Sequence, residues 1–253
     1  MKKETKNYID LIKTFSIYLL KEQNVNNYLS ILQFLFMPIL ISLIILFSFA
    51  HKIGEDIYLY RAFLLFGMIL WQLFSGVVGT GKIIIDNYKY IIKSVKFPIE
   101  TIIFGNFINL LLIHLFSVLI LIGIMYVFNY NVYGFIWYPL ILFFYSFFLV
   151  GISFIVIFLD INLKFMKNFW GLIITSLWLF TPVFYQLKQG TLHYTLNQFN
   201  PLYQYITISR EIIIYNKIPN FDIIIFMMAF SLLVFVFGYS LFIKNKEKFP
   251  EKI

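Results

Sequence analysis

The segment Gly76-Val77-Val78-Gly79-Thr80-Gly81-Lys82 has the spacing G-x-x-x-x-G-K. In a nucleotide-binding loop that spacing lets backbone N–H groups cradle phosphates while the lysine reaches them. The same chemistry needs a serine or threonine next, to hold magnesium, and a strand before the glycines. Ile83 follows instead, and the run closes a long apolar stretch. Close helix packing through small residues, Ser75 with Gly79 and Gly76 with Thr80, is the better expectation. His114 sits in the middle of another apolar run, with no carboxylate in the neighbouring runs to share a proton. It reads as a neutral imidazole hydrogen-bonded to an adjacent helix. His193 with Glu211 is the pair that could serve acid–base work at a membrane edge. An intramembrane glycosyl- or acyltransferase would need such a pair. No G-x-S-x-G or H-E-x-x-H spacing occurs. The absence of cysteine removes thiolate ligands, thiol nucleophiles and disulfides. The expectation is a chain that binds no cofactor or metal and is not an enzyme.

The elements that carry these residues follow from composition. Of 253 residues, 61% are hydrophobic and 13% charged, with 32 Phe and 18 Tyr, more apolar surface than a soluble domain of this size can bury. Charge patterning decides what the net +8 means. Basic residues cluster in alternate loops, the pattern of membrane topology and not of a nucleic-acid surface. The first residues mix Lys, Glu and Asp with apolar side chains and lack a signal-peptide layout, so the N-terminus is expected to be retained.

Taken in order, Tyr8, Leu11, Ile12, Phe15 and Leu19 fall at helical spacing and predict an amphipathic interfacial helix. Apolar runs of bilayer length predict spans at about Phe34–Ala50, Ala62–Ile85, Ile102–Phe128, Phe135–Leu159, Phe169–Tyr185 and Ile223–Ile243. The turn Asn129–Gly134 separates the third from the fourth. The mixed segment 186–220 is too polar to span and too apolar for a free loop, which predicts a re-entrant helical pair. The fold class is therefore an all-α polytopic membrane protein with six transmembrane helices. It forms one transmembrane domain over 1–253: an interfacial helix in 1–33, a six-span core in 34–243 and a basic tail in 244–253. Six spans put both termini on one side, with fifteen of the twenty Lys and Arg residues, which makes that side cytoplasmic.

Between the second and third spans, Asp86–Glu100 is the longest charged interruption. Tyr88, Ile91, Ile92 and Val95 share one helical face, and Lys89, Lys93 and Lys96 share another. Pro98 disfavours helix at Phe97 and donates no N–H, so a short amphipathic helix at the membrane surface should stop there. Near the outer end of the fifth span, Trp178, Phe180, Phe184 and Tyr185 cluster, with Tyr194, Phe199, Tyr203 and Tyr205 following. An interfacial aromatic belt and a pathway lined by aromatic faces that suit sugar rings are equally good readings of that cluster.

The stretch Asn87-x-x-x-Ile91-Ile92-Lys93-Ser94-Val95-Lys96-Phe97-Pro98 resembles N-x-x-L-I-x-K-V-x-F-P of the membrane subunits of ABC-type polysaccharide exporters. These are the O-antigen and teichoic-acid permeases, of type-2 ABC transporter fold. Leu179–Tyr185 is similar to their F-x-x-T-P-V-x-Y, Asn200-Pro201-Leu202 with Arg210 to their N-P-L…R, and Asp160-Ile161-Asn162 to their D-[IL]-x. At the front the chain departs from them: Asn24–Tyr28 is nearly uncharged where they carry a basic run, and Gln33 stands near the place of their tryptophan. The resemblance implies a homodimer with two copies of a separate ATP-binding-cassette ATPase, which would hold the ATP and magnesium. It implies that Asp86, Lys89, Lys93, Lys96, Phe97 and Pro98 couple to that ATPase. It places Asn200, Pro201 and Arg210 in the re-entrant region, and implies a channel for a lipid-linked polysaccharide in a bacterial inner membrane. Rival readings are an exporter of a drug, lipid or haem with the same fold, an intramembrane transferase, and an assembly subunit with no transport path.

Overall fold

The computed structural model describes residues 8–19, 36–45, 47, 57–95, 97–163, 165–217 and 221–252. Among these there are helices and turns and no strand. Helix α1 covers residues 8–19 and α2 covers Phe36–Ile45. They are followed by α3 (Ile57–Val95), α4 (Ile99–Val127), α5 (Tyr138–Asn162, entered through a 3-10 turn at Tyr133–Trp137) and α6 (Met166–Phe180). The remainder is α7 (Leu192–Asn197), α8 (Pro201–Ile213), α9 (Phe221–Asn245) and, after a 3-10 turn, α10 (Phe249–Lys252).

Among the described residues four segments are long and apolar enough to cross a membrane: Tyr60–Gly81, Ile99–Val127, Tyr133–Asn162 and Phe221–Lys248. They match the second, third, fourth and sixth predicted spans. The first predicted span is described only over Phe36–Ile45 and at position 47. The fifth is helical for 15 residues, Met166–Phe180, about 22 Å at 1.5 Å per residue, which is short of a bilayer core of roughly 30 Å. Its helix ends before the expected Tyr185 because Pro182 pushes Thr181 to an extended φ of −79° and ψ of 131°.

The Asp86–Glu100 stretch corrects the sequence expectation. It is not a separate helix, because α3 runs for 39 residues without a break from Ile57 to Val95. Charges at 86, 89 and 93 mark a change of surroundings, but none of them interrupts a backbone hydrogen-bond ladder. Only Pro98 does so, becoming the N-cap of α4. Tyr88 and Ile92 are buried as expected of the apolar face, whereas Ile91 is 42% exposed. The glycine run 76–81 lies wholly inside α3, so it forms no phosphate loop.

Close helix packing through small residues does occur, at another place. A Cβ on Gly238 of α9 would lie 2.3 Å from the Gly151 carbonyl oxygen of α5, and one on Gly151 would lie 2.7 Å from the Phe235 Cα. Backbones touch there directly. A Cβ on Gly79 would meet nothing within 4 Å, and Thr80 instead accepts a hydrogen bond from Asn106 Nδ2 at 2.7 Å, linking α3 to α4. His114 is buried with Nε2 2.6 Å from the Tyr138 hydroxyl of α5, a polar link between two apolar helices.

Several segments meet at one end of the bundle. Phe15 of α1 packs its ring 5.1 Å from Tyr88 and 5.9 Å from Phe97. Lys246, beyond α9, donates to the buried Glu100 carboxylate at 2.7 Å. Phe249 is fully buried against Phe242, ring centroids 5.3 Å apart. Burial, with Glu100 beside it, pushes the Tyr8 hydroxyl up to about 12. The Asp160 carboxylate is held by Trp170 Nε1 at 2.6 Å, which clasps the turn between α5 and α6.

Candidate functional site

A helix end leaves carbonyls without intrahelical partners, and a buried one must find donors elsewhere. The end of α6 is such a place, since Thr181 and Val183 are both fully buried. The Tyr185 hydroxyl donates to the Leu179 carbonyl at 2.8 Å. The Phe180 carbonyl accepts from His193 Nε2 at 2.7 Å and from Asn197 Nδ2 at 3.2 Å. The Val183 N–H turns back to the Thr181 carbonyl at 2.7 Å. Arg210 donates from Nη1 to the Pro182 carbonyl at 2.9 Å, and from Nη2 to that of Val183. The Tyr60 hydroxyl completes the set, donating to the Phe184 carbonyl at 2.5 Å. Every carbonyl from Leu179 to Phe184 is thus taken.

Arg210 is the centre of this arrangement. Only 4% exposed, it also donates from Nε and Nη2 to the Phe63 carbonyl of α3, at 3.2 and 3.1 Å, and lies 3.4 Å above the Phe63 ring. A guanidinium suits the task, because its fixed fork of five donors reaches several oxygens at once and stays charged. Carbonyl dipoles at a helix C-terminus, together with a ring face, favour the positive charge. Gly67 makes the space: a Cβ there would lie 2.0 Å from Arg210 Nη2.

Helix α8 is aimed by its own start. Asn200 Oδ1 accepts from the Leu202 N–H at 3.0 Å, and Pro201 occupies the first turn with a preset φ. Asn200 Nδ2 donates to Thr181 Oγ1 at 2.9 Å, so the same residue caps α8 and grips the break in α6. Further along, Tyr205 packs its ring 4.7 Å from Tyr145 of α5 and bonds Ser231 of α9. The three separated sequence pieces Thr181-Pro182, Asn200-Pro201 and Arg210 therefore form one constellation.

The aromatic residues divide. The Trp178 ring lies tilted, 5.1 Å from that of Phe184, which meets Tyr185 at 5.0 Å, and Phe180 lies 5.1 Å from His193. Trp178 lines one cavity, of about 300 Å³, together with Met37, Pro38 and Trp71. Tyr185 and Tyr203 line another, of about 370 Å³. His193 is engaged in capping the Phe180 carbonyl, while Glu211 faces the second cavity. Gly190, with φ +82°, makes an exposed turn between the break and α7.

At the opposite end, Asp86 is already paired. Both its oxygens accept from Lys167 Nζ, at 2.6 and 2.7 Å. With side chains 33% and 51% exposed, the pair is worth at most about 1 kcal/mol. Asp86→Asn should lower thermal stability by no more than that in a detergent melt. Lys93 and Tyr90 are exposed, and Lys89 lies 5.4 Å over the Tyr90 ring. Phe97 and Pro98 are half-buried at the α3–α4 corner, and Lys96 lies outside the described residues. Sequence reasoning missed Tyr60, Phe63 and Gly67, which carry no local pattern. Their partners are more than a hundred residues away.

The fold and these polar fixings define a polytopic helical membrane protein with a broken helix braced by a buried arginine. The chain belongs to the ABC-2 type transporter family, whose model matches residues 16–214. It is the membrane permease of an ABC transporter, and members of that family work with an ATP-binding subunit. No curated protein matches the chain.

Proposed function

We propose that this chain is the permease subunit of an exporter that moves a lipid-linked polysaccharide of O-antigen or teichoic-acid type. Two copies work with two ATPase subunits in a bacterial inner membrane, with both termini cytoplasmic. The observation that carries the reading is the constellation at the end of α6. Two of the pieces that resemble polysaccharide permeases, Leu179–Tyr185 and Asn200-Pro201-Leu202 with Arg210, come together there beside the touching rings of Trp178, Phe184 and Tyr185, faces that suit sugar rings passing without a deep site. Six spans remain the proposed topology. Lys167 is tied to Asp86 and Phe184 to Tyr60, and those points lie about 39 Å apart along α3 at 1.5 Å per residue. The short α6 with its broken tail therefore reaches as far as a full span. Helices α7 and α8 are the proposed re-entrant pair, and α1, with Ile9 and Tyr18 exposed, the interfacial gate.

Coupling enters at the projecting end of α3 and the Phe97–Pro98 corner. Replacing Phe97, Lys89 and Lys93 together by alanine should remove substrate-stimulated ATP hydrolysis while membrane insertion stays normal. Full stimulation in proteoliposomes would show that the partner docks elsewhere. The export reading is tested by supplying lipid-linked glycan to the complex and assaying its appearance on the far face. A second reading, export of a drug or lipid, is favoured by an apolar cavity of about 490 Å³ between α2, α3 and α4, lined by Leu43, Leu65 and Met125 with Arg61 at its edge. Stimulation by small amphiphiles and not by glycan would select it.

A further inference from the structure

The break in α6 leaves a hollow beside Arg210 as well as a set of carbonyls. Chain that leaves Tyr185 returns as α7 and α8, and the space between them is the cavity of about 370 Å³. Tyr185, Tyr194 and Tyr203 are half-buried in its wall, and Tyr215 stands exposed beside them. On α8, Tyr203, Thr207 and Glu211 recur every fourth residue and so share a face. Tyr194 and Gln198, from α7 and its C-terminal cap, line the same cavity. Gln204 Nε2 donates to the Gln198 carbonyl at 2.7 Å, which fixes the bend between α7 and α8.

The wall chemistry selects among ligands. An acyl chain would take the Glu211 carboxylate and the Gln186 and Gln189 amides out of water and offer them no hydrogen bond, a cost for each. An anion would need a free buried cation, and the Arg210 guanidinium is already shared among three carbonyls and a ring. A quaternary ammonium would find tyrosine faces and Glu211, but Arg210 and Lys217 border the same space. A neutral pyranose matches everything present. Its C–H face lies on a tyrosine ring, and its vicinal hydroxyls meet amide, phenol and carboxylate groups. The volume is at the low end for small-molecule sites, room for one or two rings and not for a polymer.

We propose that this cavity binds one or two neutral pyranose units, a station for the glycan beside the broken end of α6. The inference rests on the polysaccharide reading above and adds a defined site to it. Binding at such a station is weak, because a transported chain has to leave as readily as it enters.

The test uses the full chain purified with its ATPase partner in lipid nanodiscs. Saturation-transfer NMR is recorded with methyl glucopyranoside and methyl N-acetylglucosaminide, and with tetramethylammonium and inorganic phosphate binding as comparison probes. Transfer to the sugar C–H protons is expected, falling at least tenfold in Tyr194→Ala and Tyr203→Ala and retained in Tyr203→Phe. Thr207→Trp, which fills the cavity and leaves the bonds to the α6 carbonyls in place, should also abolish it and decides the matter if an alanine variant fails to assemble. No sugar signal, an equal signal in the filled variant, or preference for either charged probe overturns the proposal. Surface glycan in cells is scored separately. Normal export with no sugar signal refutes the station alone, and sugar binding without glycan export by the wild-type complex refutes the export reading alone.

Discussion

Arg210→Met is expected to destabilise the protein by about 3–5 kcal/mol and to abolish export. The guanidinium serves the carbonyls of Phe63, Pro182 and Val183 at a site only 4% exposed. Leaving each buried carbonyl unpaired costs roughly 1–3 kcal/mol, and bonds from a charged donor are at the strong end of the range. Methionine fills the volume and donates nothing. Arg210→Lys keeps the charge on a single point that cannot reach three oxygens in fixed directions, so it should fall between the two. Gly67→Ala probes the same site from α3, because its methyl would overlap Arg210 Nη2 and come within 2.6 Å of the Val183 oxygen. Residues in contact do not act independently, so the double variant should be less damaged than the two single losses added together. Thermal unfolding in detergent, with transport measured alongside, checks each step. An Arg210→Met melt within about 1 kcal/mol of wild type would mean that water replaces the guanidinium without loss.

Gly151→Leu should be at least as harmful, through a different mechanism. Its Cβ would sit 2.7 Å from the Phe235 backbone, so no side chain can swing aside to admit it. Helices α5 and α9 would have to separate. Overpacking of a core typically costs about 1–3 kcal/mol, and more where the obstacle is backbone. Gly123→Leu on α4 provides the contrast, since nothing lies within 4 Å of a Cβ there. The first variant should melt far below wild type or fail to accumulate in the membrane, and the second should melt with it. Equal behaviour of the two would refute the backbone crossing.

These two sites show what could be read from the chain and what could not. Apolar runs located four membrane spans to within a few residues, because run length is set by the bilayer and each run is bounded by charges or by the polar Asn129–Gly134 turn. The Asn129–Gly134 turn was equally plain: Asn129 takes φ +57° and Asn131 Oδ1 accepts from the Tyr133 N–H at 2.9 Å, both local habits of asparagine. Charge was the misleading signal around Asp86. It reports solvent, whereas helix continuity depends on breakers, and Pro98 is the first breaker after Ile57 in a run that tolerates its interior glycines. Small-xxx-small spacing named the right kind of contact, but Gly79 faces open space and a backbone crossing of that kind joins α5 and α9. Spacing shows that a face is narrow without showing which helix will lie on it. The parts of the Arg210 site were recognisable only by resemblance. That Tyr60 would cap Phe184, 124 residues later, is a fact of tertiary packing with no trace in local sequence.

The folded-back tail has a practical side for anyone attaching a reporter to this protein. Lys246 is bonded to a carboxylate buried at the α3–α4 corner, and Phe249 is wholly enclosed. A fluorescent protein or affinity handle joined close behind Phe249 would pull on the same corner where the ATPase is proposed to dock. Loss of activity in such a fusion would then be an artefact of attachment. The exposed turn at Gly190 carries neither burden, and a short epitope inserted there would report sidedness while leaving both the corner and the α6 brace in place.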